Sequence, residues 1–217
     1  MPAWPLTREE LIEEQLRLAA LLPATWRFEP DKQIGGVFVC FARGESGPGK
    51  AGGPAWAAAC LGRDTRVVAG QSGAPYEPGL LALREGALLE AAVRALPELP
   101  DMLLVDATGR DHPRRAGLAL QLGAVLGLPT VGVTHRPLVA AGRWPADECG
   151  ARSPLVLGGE LVGYWLRTRP GTRPLAVHAA WRTGPEAAAD VVLSVSHART
   201  PEPLRRARQG AREARAG

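Results

Sequence analysis

The chain has 217 residues, 46% hydrophobic and 22% charged, with 26 basic residues against 22 acidic ones for a formal net charge of +4. That balance is ordinary for a folded α/β protein and excludes a largely disordered chain. No apolar run reaches the roughly 18 residues of a membrane span, and the N-terminus carries Glu9, Glu10, Glu13 and Glu14 in place of a basic and then apolar leader, so a cytoplasmic protein without membrane contact is expected. Only two of the basic residues are lysines, Lys32 and Lys50, and the stretch 199–217 alone carries six arginines against two glutamates. Such an end suits phosphate contacts, and equally a solubilising helix face. Cys40, Cys60 and Cys149 are odd in number and without paired spacing, which points to core thiols over a disulfide or a zinc site.

In chain order, Thr7-Arg8-Glu9-Glu10 has the form of a capping box, with Leu6 and Leu11 placed for a hydrophobic staple, and opens a helix over about 8–22. Residues 33–41 read as a buried strand closed by the Gly- and Pro-rich stretch 44–54. Residues 57–61 and 67–69 flank Gly62-Arg63-Asp64-Thr65 as a hairpin. Helical spacing follows over 79–96, then a short strand over 102–105, a helix over about 114–126 and a strand over 130–133. After a loop, Gly158-Gly159 turns a second hairpin. A strand at 175–180 and helices over 185–196 and 203–214 complete the chain. A meander followed by alternating strands and helices predicts an α/β protein with a mixed sheet, and with neither repeat nor linker, one domain spans 1–217 with a basic C-terminal helix.

Asp106 closes a buried strand, the edge at which open α/β sheets bind ligands, and His112-Pro113-Arg114-Arg115 follows. This pattern suits a divalent ion beside a phosphodiester; taken alone, it equally suits a carboxylate capping the next turn. Glu85, considered by itself, reads as a solvated helical residue. Tyr76, framed by Pro75 and Pro78, is either a rigid wedge for nucleic acid or a tyrosine packed in a turn.

Together, Pro75-Tyr76-Glu77-Pro78-Gly79-Leu80-Leu81, Arg84-Glu85, Val105-Asp106, Gly109, His112-Pro113-Arg114-Arg115-Ala116-Gly117 and Leu128-Pro129-Thr130-Val131-Gly132-Val133 resemble the endonuclease V family in order and spacing. The resemblance extends to Gly35-Gly36-Val37, Pro174-Leu175 and Pro201-Glu202-Pro203 and covers about 33–208. It implies a ribonuclease H-like mixed β-sheet flanked by helices, and cleavage of DNA or RNA near inosine with Mg²⁺ or Mn²⁺, an activity of DNA repair. Carboxylates hold such ions, which activate water and neutralise charge developing on phosphate. By resemblance Glu85 and Asp106 are metal ligands, His112 is an active-site histidine and Tyr76 is the wedge. Gly79, Leu81, Gly117, Leu118 and Leu138 line a pocket for the flipped base, and Arg114, Arg115 and the C-terminal arginines contact phosphates.

Four positions depart from the family pattern. Phe38 stands where the family has an aspartate, His135 where it has a lysine, Trp181 where it has a histidine, and Asp106-Ala107-Thr108-Gly109 replaces Asp-Gly-His-Gly. Neither Asp31 nor Glu45, the acids flanking the first strand, has the position of Phe38, and His178 and His197 do not align with Trp181. If Phe38 and Trp181 face one cavity, they fill it or stack an unpaired base. The expectation is therefore a nucleic-acid-binding protein, its oligomeric state open with a monomer favoured, that recognises deaminated or distorted sites, with cleavage lost or strongly reduced. The alternatives are an active Mg²⁺- or Mn²⁺-dependent endonuclease with an unrecognised third ligand, and an interaction or regulatory protein that reuses the fold.

Overall fold

The computed structural model describes residues 4–21, 23–27, 29, 31–44 and 47–217; Glu45 lies outside the described residues. Helix α1 (Arg8–Ala19) opens on the expected capping box: Glu10 N–H donates to Thr7 Oγ1, and the Glu10 carboxylate accepts from the Thr7 and Leu6 amides. The staple does not form, because Leu6 is 88% exposed while Leu11 is buried. Trp4 packs against the core instead, its ring lying on Gly86 and its Nε1 donating to Glu90.

Eight strands form one mixed sheet in the order β3-β2-β1-β4-β5-β8-β7-β6. β1 (Ile34–Phe41), β2 (Pro54–Leu61) and β3 (Asp64–Gln71) are the antiparallel meander. β4 (Met102–Val105) and β5 (Thr130–Thr134) run parallel to β1. β8 (Leu175–Ala179) pairs antiparallel with β5, and β7 (Glu160–Leu166) and β6 (Arg152–Leu157) extend that edge as a hairpin. Every residue of β4 is buried, with Leu103 and Val105 in one core and Met102 and Leu104 in the other. The continuous apolar run read at 102–105 is thus a strand covered on both faces.

One face carries α1, α2 (Leu81–Arg94) and α3 (Leu118–Leu126); the other carries α4 (Pro185–Ser194) and α5 (Glu202–Ala216). Two helices begin later than their hydrophobic spacing predicts, and the backbone explains both. Gly79 has φ +81°, so α2 starts beyond it, and Arg115 has φ +59°, a left-handed conformation that no helix interior tolerates, so α3 starts at Leu118.

Helix α5 lies on β1 and β2. A Cβ on Gly36 would come within 2.5 Å of the Pro203 backbone, Cys60 Sγ meets Pro203 O at 2.9 Å, and Cys40 Sγ meets Ala211 O at 3.3 Å. Cys40 and Cys60 are therefore core thiols, whereas Cys149 is exposed, its segment lying in the surface loop before β6. No helix among the described residues is long and apolar enough to cross a membrane.

Candidate nucleic-acid site

The parallel strands end at one edge of the sheet. Val37 pairs with Val105, so the next residues, Phe38 and Asp106, stand side by side; His135 leaves β5 at the same edge. Glu85 reaches this edge from α2. It is 7% exposed, and burial together with the neighbouring Asp106 pushes its carboxyl up to about 8, against the pull of Arg84. At neutral pH Glu85 holds its proton.

The cation facing Asp106 comes from α5. Arg208 Nη2 and Nε lie 2.9 and 3.3 Å from Asp106 Oδ2, and the guanidinium lies 5.5 Å from the centroid of the Phe38 ring. Arg212, one turn further along α5, lies over the same ring at 5.7 Å. His135 is held below its ordinary value first by desolvation and then by Arg208 and Arg199, against the pull of Asp106.

Beside the acids opens a cavity of about 280 Å³ lined by Tyr76, Pro78, Gly79, Leu81, Asp106, His112, Leu118 and Leu138, with Gln15 and Gln121 on its α1 and α3 walls. Residues distant in sequence thus converge at one base-sized hollow, with Tyr76 half exposed at its mouth. The Tyr76 loop is fixed at its root. Arg84 donates to the carbonyls of Pro48 and Ala74 and stacks on Phe41, and the Tyr76 amide donates to Pro48 O.

Two buried polar knots hold the walls. Gly79 O accepts from Gln15 Nε2 at 3.0 Å and Arg114 Nη2 at 2.9 Å, and His112 Nε2 lies 3.1 Å away. The Arg114 amide donates to His112 Nδ1, which makes Nε2 the protonated nitrogen, and burial lowers His112 to about 4. His112 is therefore a neutral tether of the pocket wall with both nitrogens engaged. On the opposite wall, fully buried Asp111 accepts from the amides of Leu138, Val139 and Ala140 at 2.6, 2.9 and 2.6 Å.

Several expected residues fall elsewhere. Arg114 and Arg115 are not turned to an outer phosphate surface: Arg114 also donates to Gln15 Oε1, and Arg115 binds Leu157 O and Glu160 of the β6–β7 hairpin. Pro75 is exposed in the Tyr76 loop, and Gly117 packs on Thr108, where a Cβ would meet the carbonyl at 2.4 Å. Trp181 is not at the site. β8 runs antiparallel to β5, so the residues after Ala179 return toward the start of β5, where the Trp181 amide donates to Thr130 Oγ1 and Thr130 N–H donates to Trp181 O. Its ring packs with the α1–α3 core while Phe38 lies under α5, so the two aromatics share no cavity.

The set of acids does not fit a divalent ion. Asp106 is already paired to Arg208, Phe38 offers no lone pair, and no group of three ligating side chains stands together among the described residues. Asp31 lies before β1 and supplies no third ligand. The sequence reading missed Arg208 and Asp111. The signal for Arg208 was its place beside the Leu204, Ala207 and Ala211 stripe of α5, which packs on the sheet.

The raised Glu85 gives a pH signature. Because its folded value of about 8 exceeds the ordinary 4.5, its contribution to stability is complete below pH 4.5 and disappears as pH rises through 8. Unfolding of the native chain in chelator should show the midpoint falling from pH 5 to 9, with Glu85→Gln flattening much of that fall. Parallel curves for the two would contradict the assignment. His112 acts oppositely, withdrawing stability as pH drops from 6.5 toward 4.

A mixed sheet whose central parallel strands end at an acidic edge beside a pocket is a ribonuclease H-like fold. The profile of the family described as Endonuclease V matches residues 18–209, and the chain belongs to that family. Endonuclease V of Methanopyrus kandleri is 46% identical over 144 residues, 65% of this chain, which spans 62% of that relative's length. The crystal structure of endonuclease V from Streptomyces avermitilis superposes with a TM-score of 0.85 at 32% identity, covering 99% of this chain and 96% of the other. The Ciona intestinalis endonuclease V, solved in complex with a 24mer DNA containing an inosine followed by a ribo-adenosine, shares the fold with a TM-score of 0.76 at 20% identity, covering 95% and 96%.

Proposed function

We propose that this chain binds DNA or RNA at a deaminated or distorted nucleotide, inosine being the leading case, and that Mg²⁺- or Mn²⁺-dependent cleavage is lost or strongly reduced. The observation that carries this reading is a retained recognition half beside an altered catalytic half. The base-sized pocket has Tyr76 at its mouth and two hydrogen-bonded walls, while Phe38 stands where the family's pattern has an acid and Arg208 pairs with Asp106. The inosine-containing DNA held by the Ciona protein supports the ligand class.

The roles follow from chemistry. Tyr76 takes the space left by the displaced base. Gly79, Leu81, Leu118 and Leu138 enclose that base, with His112 and Asp111 fixing the backbone around it. A bound divalent ion would supply activated water and charge neutralisation in a cleaving enzyme; the side chains present here do not fit that group.

Binding to a fluorescent strand with one inosine, compared with the guanine strand, tests the reading. We expect tighter binding to inosine, a steep loss of affinity with salt, and a loss of about 1–3 kcal/mol in Tyr76→Ala from the missing stack. Equal affinity for both strands, or affinity flat between low and physiological salt, would overturn it.

A further inference from the structure

The chemistry left unassigned is that of the groove on the other side of Asp106. It has a volume of about 470 Å³ and is lined by Thr200, Arg205, Arg208, Gln209 and Arg212 of the α5 region, with Glu213 at its rim. Asp106 lines the base pocket and Arg208 lines this groove, so their 2.9 Å ion pair is the wall between the two. Arg208 therefore stands at the border of the pocket and the groove.

We propose that Arg208 is a built-in cation that receives the phosphodiester of the captured nucleotide in the place a divalent ion would take, so that nucleic-acid binding is metal-independent. The inference rests on the functional reading above and names how its backbone contact is made. Arg208 satisfies Asp106 with Nε and Nη2, while Nη1 lies 3.5 Å from Thr200 Oγ1 at the groove. A guanidinium has five donors in a planar fork, enough to serve a carboxylate and a phosphate together.

Phe38 is the platform for this arrangement. Its ring lies under both Arg208 and Arg212, a geometry that favours cations, whereas an acid at position 38 would compete with Asp106 for Arg208. Of the other arginines near the groove, Arg205 pairs with Glu202 at 2.6 Å, and Arg199 donates to the carbonyls of Arg173 and Pro174. Arg212 is exposed and one turn from Arg208, placed to meet the same or the adjoining phosphate.

Two measurements on the full chain test the proposal. In the first, an inosine-containing strand is titrated in chelator and in Mg²⁺. The native chain should bind within about twofold in both, Arg208→Ala should lose about tenfold or more, and Arg208→Lys should recover part of the loss as a point charge without the fork. Native binding that collapses in chelator, or Arg208→Ala binding as tightly as native, would overturn the proposal. In the second, Mn²⁺ alone is titrated by calorimetry. No binding to the native chain is expected, with weak binding appearing in Arg208→Ala once Asp106 is released; a stoichiometric native site removed by Asp106→Asn would overturn it. If no strand binds in any buffer, the functional reading fails, and the Mn²⁺ titration still decides whether Arg208 holds the cation position. Arg212→Ala, which leaves Asp106 paired, should weaken strand binding by a few fold without changing the fold's circular dichroism; no change in binding would count against the groove.

Discussion

The double variant Phe38→Asp, Arg208→Ala should cut an inosine-containing strand in Mn²⁺ about a thousandfold faster than the native chain. Phe38 is the β1 neighbour of Asp106, so an aspartate there completes a set of three acids with Glu85 and Asp106, and removing Arg208 frees Asp106 from its 2.9 Å ion pair. A captured ion would also draw the proton from Glu85, whose raised value reflects burial first and the neighbouring Asp106 second. Electrostatic groups of this kind supply several kcal/mol of transition-state stabilisation, which sets the expected factor. Neither single change is sufficient: Phe38→Asp alone leaves Arg208 to pair with the new acid, and Arg208→Ala alone leaves two carboxylates. Initial rates on a denaturing gel give the result, and a double variant no faster than native would mean that the site's geometry, and not only its ligands, has departed from a cleaving one.

Asp111→Ala should cost about 3–5 kcal/mol of stability, the range for removing one partner from a buried charged network. The Asp111 carboxylate is fully buried and accepts from three consecutive amides, 138–140, of which that of buried Ala140 has no water to turn to when it is gone. His178, buried 3.5 Å away, loses the acid that opposes its desolvation. Asp111→Asn should cost less, because its carbonyl oxygen can keep the Val139 and Ala140 bonds while its amide opposes the Leu138 N–H. Leu138 lines the base pocket, so both variants should also weaken inosine binding in proportion to stability lost. Urea unfolding measures the cost, and a change below about 1 kcal/mol for Asp111→Ala would show that the 138–140 loop does not depend on this carboxylate.

Much of this architecture was legible before any coordinates. The capping box, the two hairpins and the buried 102–105 strand are local patterns that the structure reproduces, because burial on both faces or one sets the period directly. Helix starts at 79 and 114 were misplaced because the left-handed backbones of Gly79 and Arg115 arise from tertiary bonds: the Gly79 carbonyl to Gln15 and Arg114, and the Arg115 side chain to the β6–β7 hairpin. The convergence of Tyr76, Gly79, Leu118 and Leu138 was accessible only through family spacing, since they come from four separate segments. That Trp181 and Phe38 share no cavity was not legible, because spacing carries no information about which end of a strand a return leg reaches. Arg208 was hidden among six C-terminal arginines whose composition is the same whether they face solvent or the site; the Gly36–Pro203 close approach selects the face of α5 that meets Asp106.

The central claim, capture without cutting, is tested most directly by incubating the native chain with an inosine-containing strand and Mn²⁺ and resolving the products on a denaturing gel, with binding of the same sample verified by anisotropy. The account predicts a bound, intact strand, with Asp106→Ala giving the same gel as native. A cleaved strand from the native chain, lost in Asp106→Ala, would show that the family's chemistry operates through this site despite Phe38 and Arg208, and would contradict the account.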